Sequence, residues 1–109
     1  MLSKSYRLTK RGSFDYLYRH GTKANLPVLS LVYLQGKSTK IGFSVSKKIG
    51  KAHTRNLVKR RLRAIVASLL PSLQKKAQIV FVTRTGIETL DFETLKKNTV
   101  SVLKKAKFL

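Results

Sequence analysis

The sequence has 109 residues and combines 24 Lys and Arg with 4 Asp and Glu, a formal net charge of +20 with both histidines neutral. Hydrophobic residues make up 42% of the chain, enough for one domain with its own core, and the absence of cysteine excludes disulfides, thiolate zinc sites and cysteine nucleophiles. No apolar stretch approaches the ~20 residues of a membrane span and no apolar signal segment begins the chain, so we expect a cytoplasmic protein with a polyanionic partner.

The first half of the chain predicts one helix followed by two strands. Residues 9–21 carry apolar side chains at i, i+3 and i+4, with Thr9 as the N-cap and Gly21 as the stop signal. Residues 28–34 and 40–46 are rich in β-forming residues and are separated by a turn-like Gln-Gly-Lys-Ser sequence. These two segments predict an antiparallel hairpin, and the residues between the helix and the hairpin predict a loop or a sheet edge.

The second half predicts a helix, a strand and a final helix. Apolar side chains recur every three or four residues after Thr54, the predicted N-cap, and that helix ends before Pro71. Residues 78–84 form a near-continuous apolar run, which is typical of an interior strand. Asp91 is the predicted cap of a last helix over residues 92–107. Together these elements predict an α+β fold, a two-layer sandwich of one mixed sheet of about four strands with three helices.

The polar face of the second helix is the main candidate for function. At about 100° per residue, four side chains occupy an arc of roughly 100° that faces away from the apolar row: Asn56, Lys59, Arg60 and Arg63. Guanidinium groups bind phosphate through two parallel hydrogen bonds, and an asparagine amide can reach a base edge or a sugar hydroxyl. The preceding loop adds Lys47, Lys48 and Lys51 close to a helix N-terminus, which favours anions. No acidic residue lies between Asp15 and Glu88 to neutralise this face, so polyanion binding is favoured over a merely solvated surface.

Two aromatic residues of the first helix, Phe14 and Tyr18, allow two interpretations. Helical aromatic pairs commonly pack into a core. In a basic RNA-binding protein they can instead border a groove and stack on unpaired bases, while Leu17 makes the core contact. The pattern of residues leaves both interpretations open.

Catalytic chemistry has little support in the sequence. His20 and His53 are the residues from which an acid–base pair would be built, but nothing places them together. The acidic residues near the last helix are explained more simply as a helix cap and first-turn charges. We therefore expect no catalytic residue and no metal ligand in the chain itself.

Residues 42–63 closely resemble a signature of the protein subunit of bacterial ribonuclease P. The family pattern is G-x-S-V-S-K-K-x-G-x-A-x-x-R-N-x-x-K-R-x-x-R, and every fixed position is filled in this sequence. Arg7-Leu8, Phe14, Tyr18 and His20-Gly21 match further, and the resemblance extends over nearly the whole chain.

The resemblance implies a partner, a reaction and a division of labour. The partner would be a large catalytic RNA, in a monomeric one-protein, one-RNA complex that removes the 5′ leader of precursor tRNA without contact to a membrane. Hydrolysis would depend on Mg²⁺ held mainly by the RNA, and the fold would contain a left-handed βαβ crossover. Phe14 and Tyr18 would bind the single-stranded leader in a cleft. The residues implied to contact the catalytic RNA are Arg55, Asn56, Lys59, Arg60 and Arg63, with Lys47, Lys48 and Lys51 in the loop before them.

Other functions remain possible at this level. A structural RNA-binding protein of the ribosome would have similar size, charge and element order, and only the motif run separates the two. A nuclease made of protein alone would cleave without an RNA partner. A DNA-packaging role fits less well, because aromatic cleft residues suit unpaired bases better than a duplex.

Overall fold

The computed structural model describes residues 4–8 and 11–109. Within those residues it contains one sheet of four strands and three α-helices. The helices are α1 (Arg11–His20), α2 (Ala52–Leu69) and α3 (Phe92–Lys105). The strands are β1 (Thr22–Asn25), β2 (Leu29–Gln35), β3 (Lys40–Ser44) and β4 (Ala77–Thr83). Short 3₁₀ turns lie at Lys4–Tyr6, Lys47–Ile49, Leu70–Ser72 and Ile87–Thr89.

The predicted helices are present, but their caps differ from one another in how well the sequence predicted them. Asp91 caps α3 as expected, because its carboxylate accepts a hydrogen bond of 2.8 Å from the Thr94 backbone N–H. Thr54 is not the cap of α2, which begins two residues earlier with Lys51 at the N-cap. The left-handed φ of 153° at Gly50 allows the chain to turn from the preceding 3₁₀ turn directly into the helix. The other predicted cap, Thr9, lies outside the described residues.

The predicted antiparallel hairpin of β2 and β3 is wrong. The strand order is β1-β2-β4-β3, so β4 lies between the two strands that were expected to pair. β4 pairs antiparallel with β2 (Leu31 opposite Phe81) and parallel with β3 (Ile41 opposite Ile79). β4 alternates fully buried side chains on both faces and so takes an interior position, as its apolar run predicted. The segment expected to be a loop or edge is the edge strand β1, which pairs with the free side of β2.

The parallel pairing requires a long connection, which α2 provides. β3 leads into α2, and α2 leads back to β4 beside it, so the chain contains a βαβ unit. The left-handed sense of this unit stays a prediction from the family resemblance. Among the described residues, no helix has the length and apolar character needed to cross a membrane.

The sheet has apolar contacts on both faces. On one face, the inward side chains of the strands join those of α2 and α3 in the main core, which includes Leu31, Ile79, Phe81, Leu62 and Leu103. On the other face, Leu17 of α1 packs against Val32 and Val80 in a smaller cluster. The α+β class and the mixed four-stranded sheet with three helices are confirmed. In addition, α1 forms a layer of its own on the face opposite the other two helices.

The N-cap of α3 provides a pH-dependent test of this fold. Hydrogen bonds from Thr94, with the positive charges of Lys97 and Arg61 nearby, hold the pKa of Asp91 below its ordinary value of 3.8. A carboxyl whose pKa is lower in the folded state stabilises that state above its unfolded pKa and loses this effect as the pH falls through its folded pKa. Asp91→Asn keeps an acceptor oxygen and removes the charge.

We therefore expect Asp91→Asn to lower the urea midpoint of unfolding at neutral pH. The difference from the unsubstituted protein should disappear as the pH falls through the folded-state pKa of Asp91. Asp91→Ala, which also removes the acceptor, should remain less stable than Asp91→Asn in acid. A midpoint difference between Asp91→Asn and the unsubstituted protein that does not change with pH would contradict this assignment.

Candidate nucleic-acid interface

A cavity of about 220 Å³ opens at the outer edge of β3, where the segment before α1 approaches α2. It joins side chains that are far apart in the sequence. Its lining consists of Arg7, Leu8, Phe14, Ile41, Gly42, Phe43, Lys59 and Arg63. The cavity therefore combines an aromatic ring of α1 with two cations from the polar face of α2. We call it the edge cleft.

The N-terminal segment forms one wall of the edge cleft by adding to the sheet. Arg7 makes a parallel bridge with Ile41, and the Leu8 backbone N–H donates to the Ile41 carbonyl at 2.8 Å. The Lys40 ammonium donates to the Ser5 carbonyl, which ties the same segment to the start of β3. This pairing covers part of an edge strand whose backbone groups would otherwise face solvent.

The ring of Phe14 lies directly over the backbone of β3 because position 42 is a glycine. A Cβ atom at Gly42 would lie 2.6 Å from Cζ and 2.9 Å from Cε1 of Phe14, which is closer than carbon atoms approach. Phe14 is half-buried, packs with the small cluster around Leu17 and also lines the edge cleft. Both interpretations of this aromatic residue therefore have a structural counterpart.

Tyr18 takes a different position from Phe14. It is one turn further along α1, is 38% exposed, and is not among the residues that line the edge cleft. Leu17 between them is fully buried, as the sequence predicted. Tyr16 is more exposed, at 53%, with its ring centroid 4.6 Å from that of His20. The structure thus places one of the two predicted aromatic residues in the cleft and the other on the outer surface of the same helix.

The predicted polar arc of α2 is present and divides into two parts. Lys59 and Arg63 are half-buried and face the edge cleft, whereas Asn56 and Arg60 are exposed. Arg55 is half-buried, and its Nε atom is buried without a hydrogen-bond partner. A buried guanidinium N–H without a partner is unfavourable, so Arg55 has an unused donor next to the exposed arc.

The helix is held in this orientation from its other sides. Val58, Leu62 and Ile65 are buried in the main core. Arg61 points away from the arc, and its Nη1 atom donates to the Leu90 carbonyl at 3.3 Å. Because the apolar row and Arg61 fix the rotation of α2, the arc faces outward on a rigid element.

The loop before α2 adds three exposed lysines to this surface. Ile49 is only 4% exposed and anchors the 3₁₀ turn in the core, while Lys47 and Lys48 point outward. Lys51 is exposed at the N-cap of the helix. We call the exposed cations of this loop and the outer part of the arc the basic face, consisting of Lys47, Lys48, Lys51, Arg55, Asn56 and Arg60.

The charges of this region are not neutralised by nearby acids in the sequence. Residues 16–87 contain no Asp or Glu. Two of the four acidic residues are used at the start of α3, where Glu88 accepts from the Gly86 backbone N–H at 2.7 Å and Asp91 caps the helix. The basic face and the edge cleft therefore form a positive surface with a strong preference for polyanions.

Sequence patterns alone did not indicate the part played by Gly42 or by the N-terminal segment. The available signals were a glycine inside an alternating strand, which suggests a close approach of another group, and the match of Arg7-Leu8 to the family. Carboxylate and imidazole groups show no comparable gathering. Across residues 4–8 and 11–109, no three His, Asp or Glu side chains come together in a way that could hold a metal ion.

Comparison with known proteins gives a consistent result across sequence and structure. A profile of the family described as Ribonuclease P matches residues 2–107. The ribonuclease P protein component of Streptococcus pneumoniae (strain Hungary19A-6) is 33% identical over 108 residues, which cover 97% of this chain and 88% of the relative.

Solved structures agree with the sequence match. A Staphylococcus aureus RNase P protein mutant with defective mRNA degradation activity superposes with a TM-score of 0.91 at 26% identity, covering 97% of this chain and 92% of the other. The RNase P protein from Thermotoga maritima superposes with a TM-score of 0.83 at 25% identity, covering 91% of this chain and 96% of the other.

The contact between Phe14 and Gly42 can be tested without any ligand. We expect Gly42→Ala to push the Phe14 ring off β3 and to lower the free energy of unfolding by roughly 1–3 kcal/mol through overpacking. Gly12→Ala is the matched control, since a Cβ atom there meets nothing within 4 Å. In helix α1 that control should raise stability by about 0.5–1 kcal/mol. Urea unfolding measures both, and equal stability of the two variants would contradict the packing described here.

Proposed function

Because the chain belongs to the ribonuclease P protein family and is a subunit of the ribonuclease P holoenzyme, we propose that it binds two RNAs at once. The basic face binds the catalytic RNA, and the edge cleft binds the single-stranded 5′ leader of precursor tRNA. The observation that carries this proposal is the edge cleft itself, where Phe14 and the α2 cations Lys59 and Arg63 line one cavity.

The chemistry of the edge cleft suits an unpaired strand. The Phe14 ring offers a face for stacking on a base, and such stacking tolerates any sequence because every base has a π-face. The ammonium of Lys59 and the guanidinium of Arg63 can neutralise phosphates on the same strand. Tyr18, exposed on the outer side of α1, extends the aromatic surface by one helical turn.

The basic face suits a large folded RNA. Its cations lie on a helix and a turn that are anchored in the core by residues such as Ile49 and Leu62, so little ordering is needed on binding. Neutralised phosphates release counterions, and this supplies much of the binding free energy. Lys59 and Arg63, which the family resemblance assigns to the catalytic RNA, lie between the two surfaces. We infer that the two RNAs meet at these residues.

The protein contributes binding rather than bond breaking in this proposal. A body with a net charge of +20 lowers the repulsion between the ribozyme and its substrate. Mg²⁺ prefers carboxylate and phosphate oxygens. The described residues provide no cluster of acidic side chains. We therefore assign the Mg²⁺ of the reaction to the RNA, which hydrolyses the phosphodiester bond and leaves a 5′-phosphate on the tRNA.

The proposal includes the setting of the reaction. We infer that one copy of the protein joins one catalytic RNA in the cytoplasm. The alternative of a structural protein of the ribosome has no support from the family match, which covers residues 2–107.

The first test concerns the leader. We expect Phe14→Ala to weaken binding of leader-bearing precursor tRNA to the reconstituted holoenzyme about tenfold, since base stacking contributes ~1–3 kcal/mol per base. Binding of mature tRNA, which lacks the leader, should be unchanged. Tyr16→Ala is the control, because that ring is exposed on α1 outside the cleft. A loss of equal size for both RNAs would contradict leader binding in the edge cleft.

The second test concerns the catalytic RNA. We expect Arg60→Ala to weaken assembly with the catalytic RNA several-fold and to reduce the salt slope of the affinity by roughly 0.7–0.9, the value for one lost phosphate contact. Lys104→Ala removes the same charge from the exposed end of α3 and serves as the control. If both variants have the same slope as the unsubstituted protein over several salt concentrations, the basic face does not bind the catalytic RNA.

A further inference from the structure

A second basic region lies at the opposite end of β3 from the basic face. Two adjoining cavities of about 370 and 380 Å³ share Tyr6, Thr39 and Lys76 in their linings. The cations and the aromatic ring that line one or both of them are Tyr6, Lys37, Lys40, Lys75 and Lys76. We call this region the lysine groove.

The topology of the sheet brings these lysines together from separate segments. β2 ends where β3 and β4 begin, since Gln35 is opposite Ala77 and Lys40 is opposite Gln78. The Gly36 backbone N–H donates to the Lys76 carbonyl at 3.1 Å, which fixes the turn between β2 and β3 against the start of β4. The groove is therefore built on strand ends rather than on a free loop.

Two of the lysines are held in place by the protein. The Lys75 Nζ atom lies 4.7 Å from the ring centroids of both Tyr33 and Phe108, within the range of cation–π contacts. The Lys40 ammonium donates to the Ser5 carbonyl. Tyr6 is 39% exposed between them. Residues 1–14 and 16–87 contain no acidic residue, so the segments that form the groove bring no charge to offset it.

The lysine groove is continuous with the edge cleft along β3. Tyr6 precedes Arg7, and Lys40 precedes Ile41, and the second residue of each pair lines the edge cleft. At about 3.3 Å per residue, Thr39 and Gly42 lie roughly 10 Å apart along the strand, a distance that a few nucleotides of an extended strand can span.

The order of these regions gives the direction of the strand. The start of β3 is at the lysine groove, and its end leads to the 3₁₀ turn at Lys47–Ile49 in the basic face. The edge cleft is between them. A leader that emerges from the catalytic RNA at the basic face would reach the edge cleft first and the lysine groove afterwards.

We propose that the lysine groove binds the part of the 5′ leader that is farther from the cleavage site than the nucleotides in the edge cleft. Tyr6 stacks on an unpaired base, and Lys37, Lys40 and Lys76 contact phosphates. Lysine ammonium groups act as point charges without a fixed geometry, so the groove accepts any leader sequence. This inference rests on the proposed function of the edge cleft.

A series of precursor tRNAs with leaders of increasing length tests the inference in the reconstituted holoenzyme. We expect Tyr6→Ala to weaken binding about fivefold to tenfold for long leaders only, because a short leader fills the edge cleft without reaching the groove. Tyr6→Phe keeps the ring and should bind like the unsubstituted protein. Lys37→Ala with Lys76→Ala should reduce the salt slope for long leaders by about 1.4, from ~0.7 per contact on a single strand.

A matched control removes the same charge from another place. Lys96→Ala with Lys104→Ala also deletes two exposed lysines, both on α3 and outside the groove. An equal loss with this control, or an equal loss for short and long leaders, would overturn the inference. Failure of the proposed function looks different: Phe14→Ala would then leave the binding of every leader unchanged. A normal effect of Phe14→Ala without any effect of Tyr6→Ala would reject the lysine groove alone.

Discussion

The parallel pairing of β3 with β4 is the constraint on which the rest of the structure depends. Parallel neighbours cannot be joined by a tight turn, so the chain must cross over through a long connection. Here the connection is α2, the helix that carries the basic arc. The same pairing leaves β3 at the sheet edge, where Arg7 and Leu8 add to it. The edge cleft exists because a basic helix, an edge strand and the N-terminal segment meet at this pairing.

The two-sided core explains how a strongly charged chain presents a rigid surface. The main core holds α2 and α3 on one face of the sheet, and Leu17 holds α1 on the other. The Phe14 ring therefore approaches the edge of β3 from one face while Lys59 and Arg63 approach from α2. The uncompensated positive charges repel one another, and binding a polyanion removes this repulsion and stabilises the compact state. The same charges thus oppose folding in isolation and favour assembly with RNA.

Local features of the chain were predicted well from sequence, because they depend on neighbouring residues. The Asp91 cap, the buried run of β4 and the polar arc of α2 all follow from patterns within one or two turns or one strand. The signature over residues 42–63 led to the family that the profile match then confirmed. The antiparallel hairpin of β2 and β3 was wrong, because turn signals describe the ends of two strands and carry no information about a third strand that inserts between them.

The sequence by itself determined the elements, the charge, the family and the identity of the residues available to bind RNA. Only the tertiary structure decided which of those residues share a surface. It placed Phe14 with Lys59 and Arg63, left Tyr18 outside that cavity, and brought Lys37 and Lys40 beside Lys76. The physical reason is that side-chain periodicity sets the direction of a residue within its own helix or strand. The distance between residues on different elements depends on strand order, which is set by long-range packing of the core.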